Sequence, residues 1–293
     1  MRHDRDDRGG MSMVPNAPHA MAGHGAAHAA SRLSTGLLLA TSWISGVVFA
    51  AYIVAFFGGT LLAGAGQRWN ESLPGLHDPA SPLAIIAIGV HFLTGAVLLL
   101  LGPVQFIGRL RQRVPALHRA LGRLYVASAA LAGMGGLFFI VAKGTVGGAV
   151  MDVGFGLYGV LMVLCAGMAF RHARARRIAQ HRAWAIRLFA LTVGSWLYRM
   201  EYGAWFLVAG GMGTGRGFTG WFDAVMAFFF YLPNLLIAEQ IIRSQRSAHG
   251  TLSRVGSSAL MLVASAFIAV VTWLFINGAW GRRLVSGLMA TSF

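Results

Sequence analysis

The chain has 293 residues, of which 56% are hydrophobic and 11% are charged, and its mean hydropathy is +0.64. A water-soluble domain of this length has about a quarter of its residues charged, so the composition excludes that class and indicates a membrane protein. The formal net charge is +15, but the positive residues cluster in short loops between apolar stretches. That distribution is typical of loops facing the cytoplasm and argues against a nucleic-acid-binding protein. The single cysteine, Cys165, excludes a disulfide framework and a thiolate metal site.

Residues 1–32 are polar, rich in Gly, Ala, Met and His, and show no apolar period, which predicts a disordered cytoplasmic tail. Seven apolar stretches follow, each longer than the ~20 residues that a helix needs to cross a bilayer. We therefore expect an all-α, polytopic bundle of seven transmembrane helices, followed by a short outer tail at 281–293. The predicted spans are 33–62, 82–107, 120–142, 148–170, 183–209, 219–242 and 257–280.

The positive residues fall mainly in every second loop. Loops 108–119, 171–182 and 243–256 contain four, five and three arginines. The intervening loops contain one positive residue each: Arg68, Lys143 and Arg216. Because cytoplasmic loops are enriched in Lys and Arg, twelve against three predicts a cytoplasmic N-terminus and an outer C-terminus. The inner loops should contact anionic lipid headgroups.

Two similar sequences open the third and fifth predicted spans. The first HRA segment, residues 118–126, reads HRALGRLYV, and the second HRA segment, residues 181–190, reads HRAWAIRLFA. Their order suggests that spans two to three and spans four to five are duplicated hairpins. The pattern places His118 and His181 at the same depth on the cytoplasmic side. The candidate cofactor-binding residues are His118, His181, His91, Arg119, Arg123, Tyr125, Arg182 and Arg187.

Three chemistries suit such a layout. His118 and His181 can ligate one haem iron axially while arginines hold the propionates. The same groups can bind the head of a quinone, or they can bind lipid phosphates at the interface. A transmembrane cytochrome with two haems requires four suitably placed histidines, and only His91, His118 and His181 qualify, so a single b-type haem is the most that the pattern supports.

Polar residues inside the spans are costly in lipid and are expected to face the bundle interior. Arg199 lies in the fifth span, on the same helical face as His181 five turns earlier. Its candidate acidic partners are Asp152, Asp223 and Glu201, and the sequence does not choose between them. The other residues predicted to line the interior or to bind a substrate are Thr94, Ser195, Tyr202 and Asn234.

Residues from about 86 to 243 resemble the bacterial multi-spanning membrane proteins grouped as domain of unknown function 2306. The resemblance rests on HFLTGAVLLLLGPVQF from His91, on LHRALGRLYV, on QHRAWAIRLFAL and on Arg199. It implies a polytopic membrane protein but no established activity, so no catalytic residues follow from it. The counterparts of the family pattern are His91, His118, Arg119, Gly122, Arg123, Tyr125, His181, Trp184, Arg187 and Arg199.

These observations favour a multi-pass protein of the bacterial cytoplasmic membrane that binds a redox cofactor, either one haem b or a quinone. A carrier for a small anion, a proton or a lipid, with Arg199 contacting the anion, is the alternative. A structural subunit of a larger membrane complex, with a partner protein, is the third possibility.

Overall fold

The computed structural model describes residues 17–244 and 251–290, and this part of the chain is helical without any strand. The helices are α1 (Ala17–Tyr52), α2 (Gly59–Leu62), α3 (Pro82–Leu101), α4 (Gly108–Arg113), α5 (Pro115–Lys143), α6 (Gly148–Arg174), α7 (Ile178–Ala209), α8 (Trp221–Phe229), α9 (Leu232–Ser244), α10 (Thr251–Phe275) and α11 (Gly281–Ala290). Shorter π-helical and 3₁₀ turns lie at Ile53–Gly58, Gly66–Glu71, Pro103–Phe106 and Ile276–Trp280.

Six helical segments of the described chain are long and apolar enough to cross a membrane. They are Ala29–Leu62, Pro82–Phe106, Pro115–Lys143, Gly148–Arg174, Trp221–Arg243 and Gly256–Met289. The predicted span 183–209 is not among them, so the count of seven is not confirmed. This span lies within α7, which has 32 residues. Arg187, Arg199 and Glu201 lower its hydropathy.

The two ends of the chain differ from the sequence-based expectations. Residues 1–16 of the predicted disordered tail lie outside the described residues, and residues 17–32 belong to α1, in keeping with the high helix propensity of their many alanines. The predicted outer tail 281–293 is helical over Gly281–Ala290. This helix packs against the π-helical turn of the first span, where Gly287 meets the Ala55 carbonyl. The predicted span 219–242 is interrupted at Phe230 and Tyr231, just before Pro233.

Buried apolar side chains form two clusters, one on either side of α7. Trp196 and Met200 of α7 pack into the first cluster with residues of α1, α3 and α10, whereas Leu188 and Leu191 pack into the second with residues of α5, α6, α8 and α9. Because α7 is covered on both sides, it presents less surface to lipid than its neighbours. That position explains how it accommodates polar residues.

Glycines allow close approach between neighbouring helices. A Cβ on Gly133 of α5 would lie 3.0 Å from the Gly159 carbonyl of α6, and one on Gly135 would lie 2.6 Å from the Ala87 carbonyl of α3. Helix pairs of membrane proteins use small residues in this way. The packing places α5 between α3 and α6, with the two HRA segments at one end of the bundle.

Candidate functional site

The two HRA segments occupy equivalent positions in their helices. His118 is the fourth residue of α5 and His181 is the fourth residue of α7. The two histidines are near enough for their charges to interact, and Arg111 and Arg119 also act electrostatically on His118. The two imidazoles, which are 63 positions apart in the sequence, thus lie within electrostatic range of each other.

The two imidazoles differ in their hydrogen bonds. His181 donates from Nδ1 to the carbonyl of Ala169 on α6, with an N–O distance of 2.9 Å. This bond fixes the ring and leaves Nε2 as an acceptor or ligand atom. In contrast, the Nδ1 of His118 is buried and has no partner within the described residues. Buried polar atoms are normally hydrogen-bonded, so His118 has binding capacity that the chain itself does not use.

Gln105 is a member of this site that the sequence-based list of cofactor-binding residues omitted. It lies in the 3₁₀ turn after α3, and its Oε1 is 3.3 Å from the position that a Cβ on Gly122 would occupy. Gly122 is one helical turn beyond His118. The Nε2 of Gln105 is buried and has no hydrogen-bond partner in the described chain. The sequence indicated this residue only as a lone amide at the end of an apolar stretch, immediately before the first arginine-rich loop.

The arginines around the two histidines fall into two groups. Arg119, Arg123 and Arg182 are exposed and can meet lipid phosphates or an anionic group of a ligand. Arg187 is half-buried and forms an ion pair. It donates from Nε to Oε1 of Glu239 on α9 and from Nη2 to Oε2 at 3.1 Å. Its guanidinium also lies 4.7 Å from the centre of the Trp184 ring, so its donors serve the fold.

Tyr125 has a structural contact. Its hydroxyl lies 2.6 Å from the Thr192 hydroxyl, and both side chains are buried. This bond joins α5 to α7 two helical turns along α5 from His118. Tyr125 therefore holds the two helices together and does not point a free hydroxyl at the site.

A second polar cluster lies deeper in the bundle. Arg199 donates from Nη1 to the carbonyl of Ser195 at 2.9 Å, and its guanidinium lies 4.9 Å from the centre of the Phe49 ring of α1. His91 is close enough to Arg199 for their charges to interact. The Nδ1 of His91 donates to the Ala132 carbonyl of α5 at 2.9 Å. His91 thus belongs with Arg199 in the interior, at a different site from His118 and His181.

None of the three candidate acids pairs with Arg199. Asp152 accepts from the Thr145 amide at 2.5 Å. Asp223 accepts from the Tyr202 hydroxyl at 2.7 Å and from two backbone amides of the loop between α7 and α8. The Oε2 of Glu201 is buried and has no partner within the described residues. Two further predicted interior residues bond nearby carbonyls: Thr94 donates to Val90 of α3, and Asn234 donates to Phe230, which lies in the break before α9.

Metal-binding groups and cavities are limited in the described part of the chain. It contains no group of three or more His, Cys, Asp or Glu side chains that could hold a metal ion. A cavity of about 30 Å³ lies between α1, α3 and α7, lined by residues that include Pro103, Phe189 and Trp196. A more open groove of about 130 Å³ runs beside the 3₁₀ turn that contains Gln105, lined by Trp43, Val104 and others.

Comparison with known proteins identifies the family of this chain. Neither the curated proteins nor the solved structures gave a match. A family model described as a predicted membrane protein, domain of unknown function 2306, matches residues 88–242. This range contains both HRA segments, His91 and Arg199. Because the match covers more than half of the chain, the protein belongs to the DUF2306 family of membrane proteins.

Proposed function

We propose that the protein is a multi-pass protein of the bacterial cytoplasmic membrane that binds a quinone at the inner ends of α5 and α7. The observation that carries this proposal is the pair of buried nitrogens without partners, Nδ1 of His118 and Nε2 of Gln105. The Gln105 side chain lies beside Gly122 of α5, which is one helical turn beyond His118. A quinone head group has two carbonyl oxygens that accept hydrogen bonds, which matches these two donors.

The surroundings of the two nitrogens suit such a head group. Phe106 and Phe189 pack with ring centres 4.7 Å apart, beside the turn that contains Gln105. The ring of His181, fixed by the Ala169 carbonyl, adds a third polar group from α7. A bound quinone supplies reversible electron and proton transfer, and the residues of this chain orient it and donate hydrogen bonds to its oxygens.

A single b-type haem between His118 and His181 is the second candidate. The observation in its favour is the fixed tautomer of His181, whose Nε2 is left available for iron, with His118 as its neighbour. The exposed Arg119 and Arg182 would hold propionates. The quinone comes first because its two carbonyl oxygens match the unpartnered nitrogens of both His118 and Gln105, whereas a haem leaves Gln105 unused.

Purified protein distinguishes the two cofactors. We expect quinone in an organic extract of the protein, and we expect a short-chain quinone to bind saturably in quenching of tryptophan fluorescence. His118→Ala and Gln105→Ala should each weaken this binding about tenfold, the equivalent of ~1.4 kcal/mol for a lost hydrogen bond. Gln112→Ala, which changes an exposed amide of α4, is the matched control and should bind as the wild type does.

Two results would overturn the quinone. One is unchanged affinity in both His118→Ala and Gln105→Ala, with no quinone in the extract. The other is an absorption band of haem in the purified protein that disappears in His118→Ala and in His181→Ala. The second result would move the function to haem binding at the same residues.

The topology belongs to the same proposal. We infer that α7 crosses the membrane, which makes seven spans, with the N-terminus cytoplasmic and the C-terminus outside. The length of α7 supports this, because 32 helical residues extend about 48 Å at 1.5 Å per residue. The arginine-rich turns at both HRA segments then lie on the inner surface, where they contact anionic lipid headgroups.

Cysteine labelling tests the topology directly, because Cys165 is the one native cysteine and is buried. Single cysteines are placed on a Cys165→Ser background at Arg113, Arg174 and Arg216, all of them exposed. In intact cells a membrane-impermeant maleimide should label the cysteine at 216 and spare those at 113 and 174. Equal labelling at 174 and 216 would show that α7 does not cross and that the chain has six spans.

A further inference from the structure

Arg199 is a cation in the interior of the bundle without an acidic counterion. The described chain contains six acidic side chains, and its three ion pairs join Arg68 to Glu71, Lys143 to Asp78 and Arg187 to Glu239. No Asp or Glu oxygen of the described residues lies within 4.0 Å of Arg199. An uncompensated charge inside a membrane protein is costly, and such residues usually serve a ligand or ion pathway.

The side chain of Arg199 does not extend to the nearer end of its helix. Arg199 is ten residues, or about 15 Å, from the end of α7 at Ala209, and about 31 Å from its start at Ile178. Arginines that relieve their charge by snorkelling point to the nearer interface. Arg199 instead bonds the Ser195 carbonyl, one turn towards the start of α7. Its guanidinium is therefore directed into the bundle.

Most hydrogen-bonding capacity of this guanidinium is unused. An arginine has five N–H donors, and Arg199 has one hydrogen bond within the described residues, to Ser195. Two of the neighbouring tyrosines are bonded elsewhere: Tyr158 donates to the Leu191 carbonyl at 3.0 Å and Tyr52 bonds Ser72 at 3.1 Å. Phe49 covers one face of the guanidinium, so the free donors lie along its edge.

We propose that Arg199 binds an oxyanion, a carboxylate or a phosphate group, along the free edge of its guanidinium. Two parallel N–H donors match the oxygens of either group, and the charge interaction is strong where water is scarce. Phe49 and the tyrosines around Arg199 form an apolar, aromatic wall for the uncharged part of the ligand. This site is separate from the quinone site, because Arg199 lies 18 residues, about 27 Å, along α7 from His181.

Thermal unfolding of the full chain in phosphatidylcholine nanodiscs tests the site. Sodium acetate and sodium phosphate are titrated separately against sodium chloride at constant ionic strength. In the wild type we expect one of the two anions to raise Tm saturably by several °C, because a ligand that binds the native state stabilises it. Arg199→Gln should abolish the rise and Arg199→Lys should keep part of it. Arg216→Gln, which changes an exposed arginine of the outer loop, should keep it in full.

The remaining arms of the experiment separate the sources of the oxyanion. Nanodiscs containing phosphatidylglycerol, without added acetate or phosphate, should raise Tm only if a lipid headgroup provides the phosphate, and this rise should also be lost in Arg199→Gln. Equal anion responses in the wild type and Arg199→Gln, or no saturable response in any arm, would overturn the proposal.

A second measurement covers the case in which Arg199→Gln does not fold. Equilibrium dialysis of the wild type with radiolabelled acetate or phosphate should show saturable binding of one anion per chain. Uptake that rises linearly with concentration would overturn the proposal. Quinone affinity is measured in the same samples. Loss of anion binding in Arg199→Gln, or weaker anion binding in Arg199→Lys, with intact quinone binding confirms that the two sites are independent.

Discussion

The two HRA segments begin their helices in the same register and yet have different surroundings. In the second segment, His181 bonds the Ala169 carbonyl and Arg187 pairs with Glu239. In the first, His118 has an unbonded buried nitrogen, and Arg123 is exposed without an ion pair within the described residues. Helices α6 and α9 provide the partners of the second segment. Similar sequences thus have different surroundings: the second segment is bonded to neighbouring helices, whereas the first keeps hydrogen-bonding groups without partners among the described residues.

The largest loss of stability is expected when Arg187 of the second HRA segment is replaced. Arg187→Ala removes two charge-assisted hydrogen bonds and leaves Glu239 without its cation, while the Trp184 ring loses its contact. Because the two side chains are 23% and 34% exposed, the loss falls between those of surface and buried pairs, at about 2 kcal/mol. Chemical unfolding in detergent micelles measures it.

Arg123→Ala is the matched control in the first segment and should change the free energy of unfolding by less than about 0.5 kcal/mol. A double-mutant cycle of Arg187→Ala with Glu239→Ala should give a coupling energy of about 1 kcal/mol. An equal loss in Arg123→Ala and Arg187→Ala would contradict the distinction between the two segments.

The membrane class and most helix positions could be predicted from the sequence, because apolar stretches of sufficient length require helices in lipid. The juxtaposition of His118 and His181 also follows from their shared helical position. The partner of Arg187 could not be predicted, since Glu239 lies 52 residues away and its approach depends on how α9 packs. For the same reason the sequence offered three candidate acids for Arg199, and in the structure none of the three pairs with it.

The helices at the ends of the described chain could not be predicted from the sequence either. Residues 281–290 mix apolar residues with two arginines and two glycines, and they form α11 beside the π-helical turn of the first span. Arg283 there donates to the Glu71 carbonyl at 2.7 Å. Such tertiary contacts decide whether a short terminal segment is helical. Neither the spacing of the apolar residues nor the charge of the loops indicates these contacts.

Substitution of the two histidines should show the same difference between the two HRA segments, with a smaller effect on stability. His181→Ala removes the bond to Ala169 and should lower the free energy of unfolding by about 1 kcal/mol. His118→Ala removes no hydrogen bond of Nδ1 and should stay within about 0.5 kcal/mol of the wild type. Quinone affinity should show the opposite order, with the greater loss in His118→Ala. If His118→Ala is the less stable variant, the first segment is structural as well.

The smallest effect is expected at the other end of α5, where an ion pair with one hydrogen bond contrasts with the two-bonded pair of Arg187, at a similar exposure of the side chains. Lys143 donates to Asp78, and this bond holds the pKa of the Asp78 carboxyl below its usual value of 3.8. A carboxyl with a lowered pKa in the folded state contributes stability above its usual pKa, and that contribution disappears as pH falls through the lowered value. Both side chains are partly exposed, at 26% and 35%, so that solvent screens their attraction. The Tm of Lys143→Gln should therefore be only slightly below that of the wild type at pH 7, and the difference should disappear as the pH falls well below 3.8 and in high salt. A difference that stays constant with pH and salt would mean that Lys143 acts through its apolar stem and not through its charge.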